Sequence, residues 1–248
     1  MLIIPANSLS GGYEVDNSLL FNQPSNPYLN RSISTAGSTT TLSISFWFKR
    51  RKLNDDLHLF SGNSFDEIKI TGANTLRIES YVGGYKYRKT TNRTFTDTSV
   101  WHHMLVLYDT SNSTANDRIR LYIDGVRETS FSANQNPSQN YAISYFGPNP
   151  FYIGTDARSL TGASNLDGYL SEVVGIDGAN LSTTDVGEDD DGTWIPIDVS
   201  ELDFTGTNSF YLDFKDSSAL GNDVSGNNND FTTVNIVSSD QSTVTPTS

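Results

Sequence analysis

Cysteine is absent from all 248 residues, which excludes a disulfide framework, a Cys-ligated zinc site and a thiol nucleophile. Long apolar runs are absent as well, and no window approaches the roughly 18–20 apolar residues of a membrane-spanning helix. The opening MLIIPANSLSGG has neither a basic stretch nor an adequate apolar one, so no Sec-type leader is expected and synthesis in the cytoplasm is. No G-x-S-x-G elbow, G-x-x-x-x-G-K-S/T phosphate loop or G-x-G-x-x-G turn occurs, and the chemistries those motifs carry lose their support. Good helix formers are scarce, and no long stretch keeps a 3.6-residue apolar period.

Basic residues are nearly missing from the last third. Residues 1–158 hold 15 basic and 13 acidic groups, a balance of +2, whereas residues 159–248 hold Lys215 alone against 16 acids, a balance of -15. The two sum to the net charge of -13. Such a balance repels phosphate backbones, so nucleic acid is not an expected partner. It suits a solvated surface, a cation site or a basic protein partner. The one basic cluster, Lys49-Arg50-Arg51-Lys52, reads as a solvated strand end or a contact with the acidic third of a neighbouring copy.

What the chain does have is β-sheet chemistry. Aromatics make up 11 % of it, and Ser (32), Thr (26) and Asn (23) together fill about a third, a mixture of strand formers and turn residues. Leu42–Lys49 alternates small-polar with large-apolar side chains, as a half-buried strand does. Ile68–Ile70, Leu76–Ile78 and Tyr85–Arg88 repeat the alternation in short pieces. Trp101–Tyr108 turns continuously apolar, the pattern of a strand covered on both faces. Arg118–Ile123 runs into Asp124-Gly125, a type I′ hairpin signal. Phe151–Gly154, Gly168–Val174 and Phe210–Phe214 add further strands, and Leu181–Val186 offers a single helical turn capped by Ser182. Many short strands at 8–15-residue spacing predict an all-β, two-sheet antiparallel jelly-roll sandwich. It should occupy residues 13–235, after an N-terminal arm (1–12) and before a linker-like Ser/Thr/Pro tail (236–248).

The series Leu42–Lys49, Trp101-His102-His103 leading to Tyr108-Asp109, Leu121–Gly125, Phe151–Gly154 and Leu166–Val173 resembles the laminin G-like, concanavalin A-like domains, over roughly residues 13–180. A narrower resemblance lies at the ends. Gly11–Phe21 with Tyr28–Arg31, and Phe210–Phe214 through Leu220–Asp223, Ser225–Asp230 and Thr245–Thr247, are similar to tail-fibre-like proteins of marine bacteriophages. That resemblance implies a non-enzymatic virion structural protein, of tail-fibre type or a capsid-decoration or head-fibre protein. It also implies a place on the virion surface, capsid or tail subunits as partners, and assembly as a homo-oligomer. A glycan-binding host-attachment module is the alternative, with Tyr81, Tyr85, Tyr87 and Tyr145 available for stacking on sugars. A glycoside hydrolase on the same fold is the third reading.

Retaining glucanases built on this jelly roll resemble one another in a strand carrying three acids at alternate positions, which puts all three on one face, where a nucleophile and an acid/base can flank a sugar. Asp66–Ile70 and Glu172–Asp177 both lack that pattern. His102 and His103 are neighbours on one strand, so they point to opposite faces, and a metal site would need the distant His58 with carboxylates. For a cation, Ca²⁺ suits the acidic loops best, with Asp189 and Asp191 inside Glu188-Asp189-Asp190-Asp191-Gly192, and Asp223, Asn227 and Asp230 in a loop resembling those of laminin G-like domains that hold calcium. The competing reading of both runs is a set of Asx-turns. Four N-x-S/T sequons begin at Asn30, Asn92, Asn112 and Asn180 and follow from composition.

Overall fold

Alternation at the centre of the chain sets the architecture. The computed structural model describes residues 12–62, 66–160, 162 and 164–248; the arm expected at residues 1–12 lies almost wholly outside them. In chain order the first strands are β1 (Ser18–Phe21), β2 (Tyr28–Ser32), β3 (Thr41–Arg50), β4 (Leu57–Gly62), β5 (Asp66–Ile70), β6 (Thr75–Tyr81), β7 (Tyr85–Thr94), β8 (His102–Asp109) and β9 (Ile119–Ile123). There follow β10 (Val126–Arg127), β11 (Phe131–Gln135), β12 (Pro150–Ile153), β13 (Gly168–Asp177), β14 (Glu188–Asp190), β15 (Thr193–Ile195), β16 (Phe210–Leu212), β17 (Thr232–Val234) and β18 (Gln241–Ser242).

Two antiparallel sheets of eight strands face each other. The first runs β10-β9-β8-β3-β13-β1-β18, with β16 also paired to β13; the second runs β11-β7-β6-β5-β4-β12-β2-β17. This is the expected jelly-roll sandwich. Strand β3 shows why it holds. Leu42, Ile44, Phe46 and Phe48 point between the sheets and are fully or almost fully buried, and the Phe46 and Phe60 ring centroids lie 4.7 Å apart. The other face of β3 is covered too, which plain half-burial did not predict. There Leu105, Leu107, Val174, Ile176, Val186, Val199, Phe204 and Tyr211 form a second apolar cluster, so the outer side of the first sheet is roofed by the acidic C-terminal third.

The roof explains a glycine. Asp124 (φ 50) and Gly125 (φ 75) make the predicted two-residue turn, with Ile123 opposite Val126. A Cβ on Gly125 would stand 2.4 Å from the Trp194 ring, so glycine serves both the left-handed backbone and the close approach of the roof. The predicted turn at Leu181–Val186 is a 3-10 helix, Thr183–Asp185, where Ser182 N donates to Asp185 Oδ2 at 2.7 Å.

Strand β13 carries a bulge between Ser171 and Val174, and Glu172 sits there in left-handed backbone (φ 48). Its N-terminal half pairs with β1 and its C-terminal half with β16. The tail expected as a linker is instead part of the sandwich. Ser18 and Leu19 pair with Ser242 and Gln241, Val15 N donates to Thr247 Oγ1 at 3.1 Å, and Ser18 Oγ donates to Val244 O at 2.7 Å. The reason is that Thr245 is buried and the hydroxyls of this Ser/Thr run serve as hydrogen-bonding groups.

Candidate functional site

The outer face of the second sheet carries a row of polar and charged side chains, of which Ser61, Glu67 and Glu79 are buried. Strand register places Tyr152, Ser61, Glu67, Glu79, Arg88 and Gln135 side by side across β12, β4, β5, β6, β7 and β11. Two glutamates directly opposite each other repel, and the structure resolves this with a lysine. Lys69 Nζ donates to Glu67 Oε2 at 2.8 Å and lies 2.7 Å from Glu79 Oε1. His58 Nε2 is 3.2 Å from Glu67 Oε2, and Arg158 pairs with Glu67 from the loop after β12. Burial alone would raise the Glu67 carboxyl, but the hydrogen bonds and charges from His58 and Lys69 outweigh it and hold the group down at about 2.

One end of the row meets an aromatic hairpin. Tyr81 and Tyr85 flank the β6–β7 turn, 48 % and 39 % exposed, with ring centroids 5.0 Å apart in an edge-to-face pair. Turn residues Gly83 and Gly84 both have positive φ. The Arg88 guanidinium lies 4.5 Å from the Tyr85 ring centroid and 3.6 Å from Glu79 Oε2. Gln135 Nε2 donates to Tyr85 O at 2.8 Å. An exposed aromatic pair beside fixed hydrogen-bonding groups can stack on an apolar ring face and read its polar rim.

Of the four tyrosines offered to sugars by the sequence, two are therefore at the surface. Tyr87 and Tyr145 are not: both are fully buried, because they lie between the sheets, where Tyr87 OH donates to Asp66 Oδ1 at 2.8 Å.

The cation candidates divide into two loops with no hydrogen bond or ion pair joining them among the described residues. Asp189 and Asp191 belong to the exposed β14–β15 hairpin, whose turn is Asp191 (φ 50) and Gly192 (φ 86). Gly192 N donates to Asp189 Oδ1 at 3.1 Å. In the second loop, Asp223 Oδ1 accepts from Tyr211 N and Ser225 N, and Asp223 Oδ2 from Ser225 Oγ and Asn229 N, all at 2.8–2.9 Å. Asp230 Oδ1 accepts from Asp223 N at 2.9 Å, and Asn227 Nδ2 donates to Phe204 O and Ser209 O. Both Asp223 oxygens thus have protein donors, which is Asx-turn chemistry.

Among the described residues, His58, Glu67 and Asp156 are the group of three whose ligand atoms converge, within 4.8 Å of one another. Lys69 and Arg158 already supply the positive charge there, as Arg158 Nε also lies 3.0 Å from Asp156 Oδ1. His102 and His103 do point apart. His102 Nδ1 is 2.9 Å from Asp124 Oδ2, whereas His103 lies under Trp47 and Trp194 with its Nε2 2.9 Å from Ser45 Oγ, and burial pulls it down to about 3. The basic cluster is split by the same alternation. Arg50 is buried and donates to Asn74 Oδ1 at 3.0 Å and to Phe95 O, while Arg51 and Lys52 pair with Asp167 and Asp55.

A family model described as the concanavalin A-like lectin/glucanases superfamily matches residues 25–186. The chain belongs to that superfamily. Residues 187–248, beyond the match, supply β14–β18 and much of the roof. No curated protein matches the chain. Among solved structures, this concanavalin A-like domain is similar to a candidate carbohydrate binding protein from Bacteroides ovatus, with TM-score 0.55 and 12 % identity over 82 % of this chain and 53 % of that one. It is also similar to domain 4 of AbnA, a GH43 extracellular arabinanase from Geobacillus stearothermophilus, in complex with arabinotriose (TM-score 0.50, 16 % identity, 70 % of this chain and 76 % of that one). A heptameric SAP-like pentraxin from Limulus polyphemus aligns at TM-score 0.49 and 18 % identity, over 68 % and 79 % of the two chains. At these identities the likeness is one of fold.

Proposed function

We infer that this concanavalin A-like domain is a non-enzymatic surface module that binds glycans at the Tyr81–Tyr85 hairpin, with Arg88 as the polar edge of the site. The observation that carries the reading is the exposed tyrosine pair braced by Arg88 and Gln135. The arabinotriose held by domain 4 of AbnA, on a similar fold, supports it. A catalytic role is less well served. A glycoside hydrolase needs a carboxyl that still carries its proton near neutrality. Glu67 is held at about 2, is almost wholly buried and lies beneath Arg158, and the carboxyls that burial does raise, Asp66 and Glu172, are themselves enclosed and hydrogen-bonded to Tyr87 and Tyr211.

The setting rests on the resemblance of residues 11–31 and 210–247 to phage tail-fibre-like proteins. That supports a module on a virion surface, contacting other virion proteins and further copies of itself. The acidic hairpin Glu188–Asp191, exposed throughout, is the part suited to a basic partner surface.

The test is an array of algal and bacterial polysaccharides probed with the whole chain. Saturable binding is expected, weakened about tenfold by Tyr85→Ala, since one aromatic contact and its buried area are worth about 1.4 kcal/mol or more. Asp189→Asn should leave it unchanged. Absence of binding by the wild type, or equal binding by Tyr85→Ala, would overturn the glycan reading. Antibody labelling of intact particles separately tests the virion setting.

A further inference from the structure

On the opposite face of β7 and β11 from Arg88 and Gln135, the open edge of the sandwich encloses a cavity of about 230 Å³. Its walls come from both sheets: Lys89 and Asn134 from the second, Ile119, Arg120 and Arg127 from the first, with Phe131 closing one side. Lys89 is only 3 % exposed. Its ammonium donates to Asn134 Oδ1 at 2.6 Å and lies 5.0 Å from the Phe131 ring centroid. Among the described residues no carboxylate lies within 4.0 Å of it, whereas Arg120 turns to the roof face opposite Leu107, where its Nη2 donates to Asn180 Oδ1 at 2.6 Å. One acid, Glu128, lines the cavity as well, with its Oε1 accepting from Ser130 N at 2.7 Å, and Asp117 beside it pairs with Arg127.

An ammonium out of water normally has a carboxylate partner, because desolvation of an unpaired charge is costly. Here it has one neutral acceptor for three donors. We propose that the cavity between the two sheet edges is a binding site for a small organic carboxylate, whose oxygens meet Lys89 and Arg127 and whose carbon body lies on Phe131 and Ile119. The size decides the class. Pockets for drug-sized ligands run to roughly 300–1,000 Å³, so this one takes a single small unit, such as one uronate ring, and not an oligosaccharide. The planar guanidinium fork suits a carboxylate, and the apolar wall disfavours a fully hydrated inorganic anion.

Protonation follows. Burial, and secondarily Arg127, pull the Lys89 ammonium down to about 8, with Asp117 opposing. Loss of the Lys89 proton weakens the site as pH rises through 8. A bound carboxylate returns that group toward its ordinary range. The proposal does not depend on the tyrosine hairpin, which lies on the other face of the same strands.

Titration calorimetry of the whole chain with sodium glucuronate, sodium sulfate and glucose tests it. Glucuronate is expected to bind saturably at pH 7, at least tenfold more tightly than sulfate, with no binding of glucose. Lys89→Met should weaken glucuronate at least tenfold, while Tyr85→Ala leaves it unchanged. The affinity should fall between pH 7 and pH 9.5. Because Lys89→Met removes an unpaired buried charge, its melting temperature should not fall. Should that variant nonetheless unfold, the titration of the Lys89 side chain, followed by NMR with and without glucuronate, gives the answer: an upward shift on binding supports the site, and an unmoved midpoint overturns it. No heat with glucuronate, sulfate binding as tightly as glucuronate, or equal affinity in Lys89→Met would each overturn the assignment.

Discussion

Glu172 offers a test of the electrostatics of the fold that needs no ligand. It sits at the β13 bulge, buried, where Tyr211 OH donates to its Oε2 at 2.6 Å and Tyr13 OH at 3.3 Å, while its Oε1 has no partner. Burial and the nearby Asp213 raise the carboxyl from 4.5 to about 7, against the opposing tyrosine hydrogen bonds and Lys215. The folded pKa is thus above the unfolded one. Between 4.5 and 7 the folded chain binds more protons than the unfolded chain, so this group's contribution to stability falls as pH rises through that window. At 1.36 kcal/mol per unit, the penalty between pH 5 and pH 8 comes to about 2 to 3 kcal/mol, a sizeable share of the roughly 5–15 kcal/mol that holds a domain together. Glu172→Gln keeps the shape and stays neutral. Urea denaturation of both proteins at pH 5 and pH 8 should therefore show the variant gaining about 2 to 3 kcal/mol on the wild type at the higher pH. A gain under about 0.5 kcal/mol would refute the reasoning, because it would mean that the bulge opens to water and the charge is solvated.

Two further expectations follow from packing and from loop chemistry. Phe46 is completely buried against Phe48 and Phe60, so Phe46→Ala should cost about 3–5 kcal/mol in denaturant titration, and a loss below about 1 kcal/mol would show that the two sheets do not close over it. Asp223→Ala removes four protein donors' common acceptor, so its melting temperature should fall by the same amount in EDTA and in millimolar calcium, whereas calcium raising the melting temperature of the wild type alone would establish the loop as a cation site.

The central strands were legible because alternation and burial agree there. Leu42–Lys49, Trp101–Tyr108 and Arg118–Ile123 with Asp124-Gly125 all appear within a residue or so of the expected bounds. Edge strands were not. Phe131–Gln135 and Thr232–Val234 are short and largely polar, so they carry no apolar period to read. The second core was hidden for another reason: Val186, Val199 and Phe204 come from irregular chain, where no spacing announces burial. The functional surfaces were half visible. Tyr81 and Tyr85 stood out as aromatics, but Tyr87 looked the same until the pleat turned it inward. Scanning single strands for alternating acids also passed over Glu67 and Glu79, because their juxtaposition crosses two strands. Lys89 and Arg127 come to one cavity only when the two sheet edges meet.

The pairing of β1 with β18 has a mechanical consequence. Residues 15 and 247 are held side by side, and the two strands run antiparallel inward from that point. Tension applied between these positions would load the pair at its open end and break its bonds in succession, as a zipper opens, and would not shear them together. Each backbone bond contributes only about 0.5–1.5 kcal/mol, so this edge would peel at low force while β3, β8 and β13 stayed closed. A domain tethered through both ends would thus lengthen under pull before its core gave way.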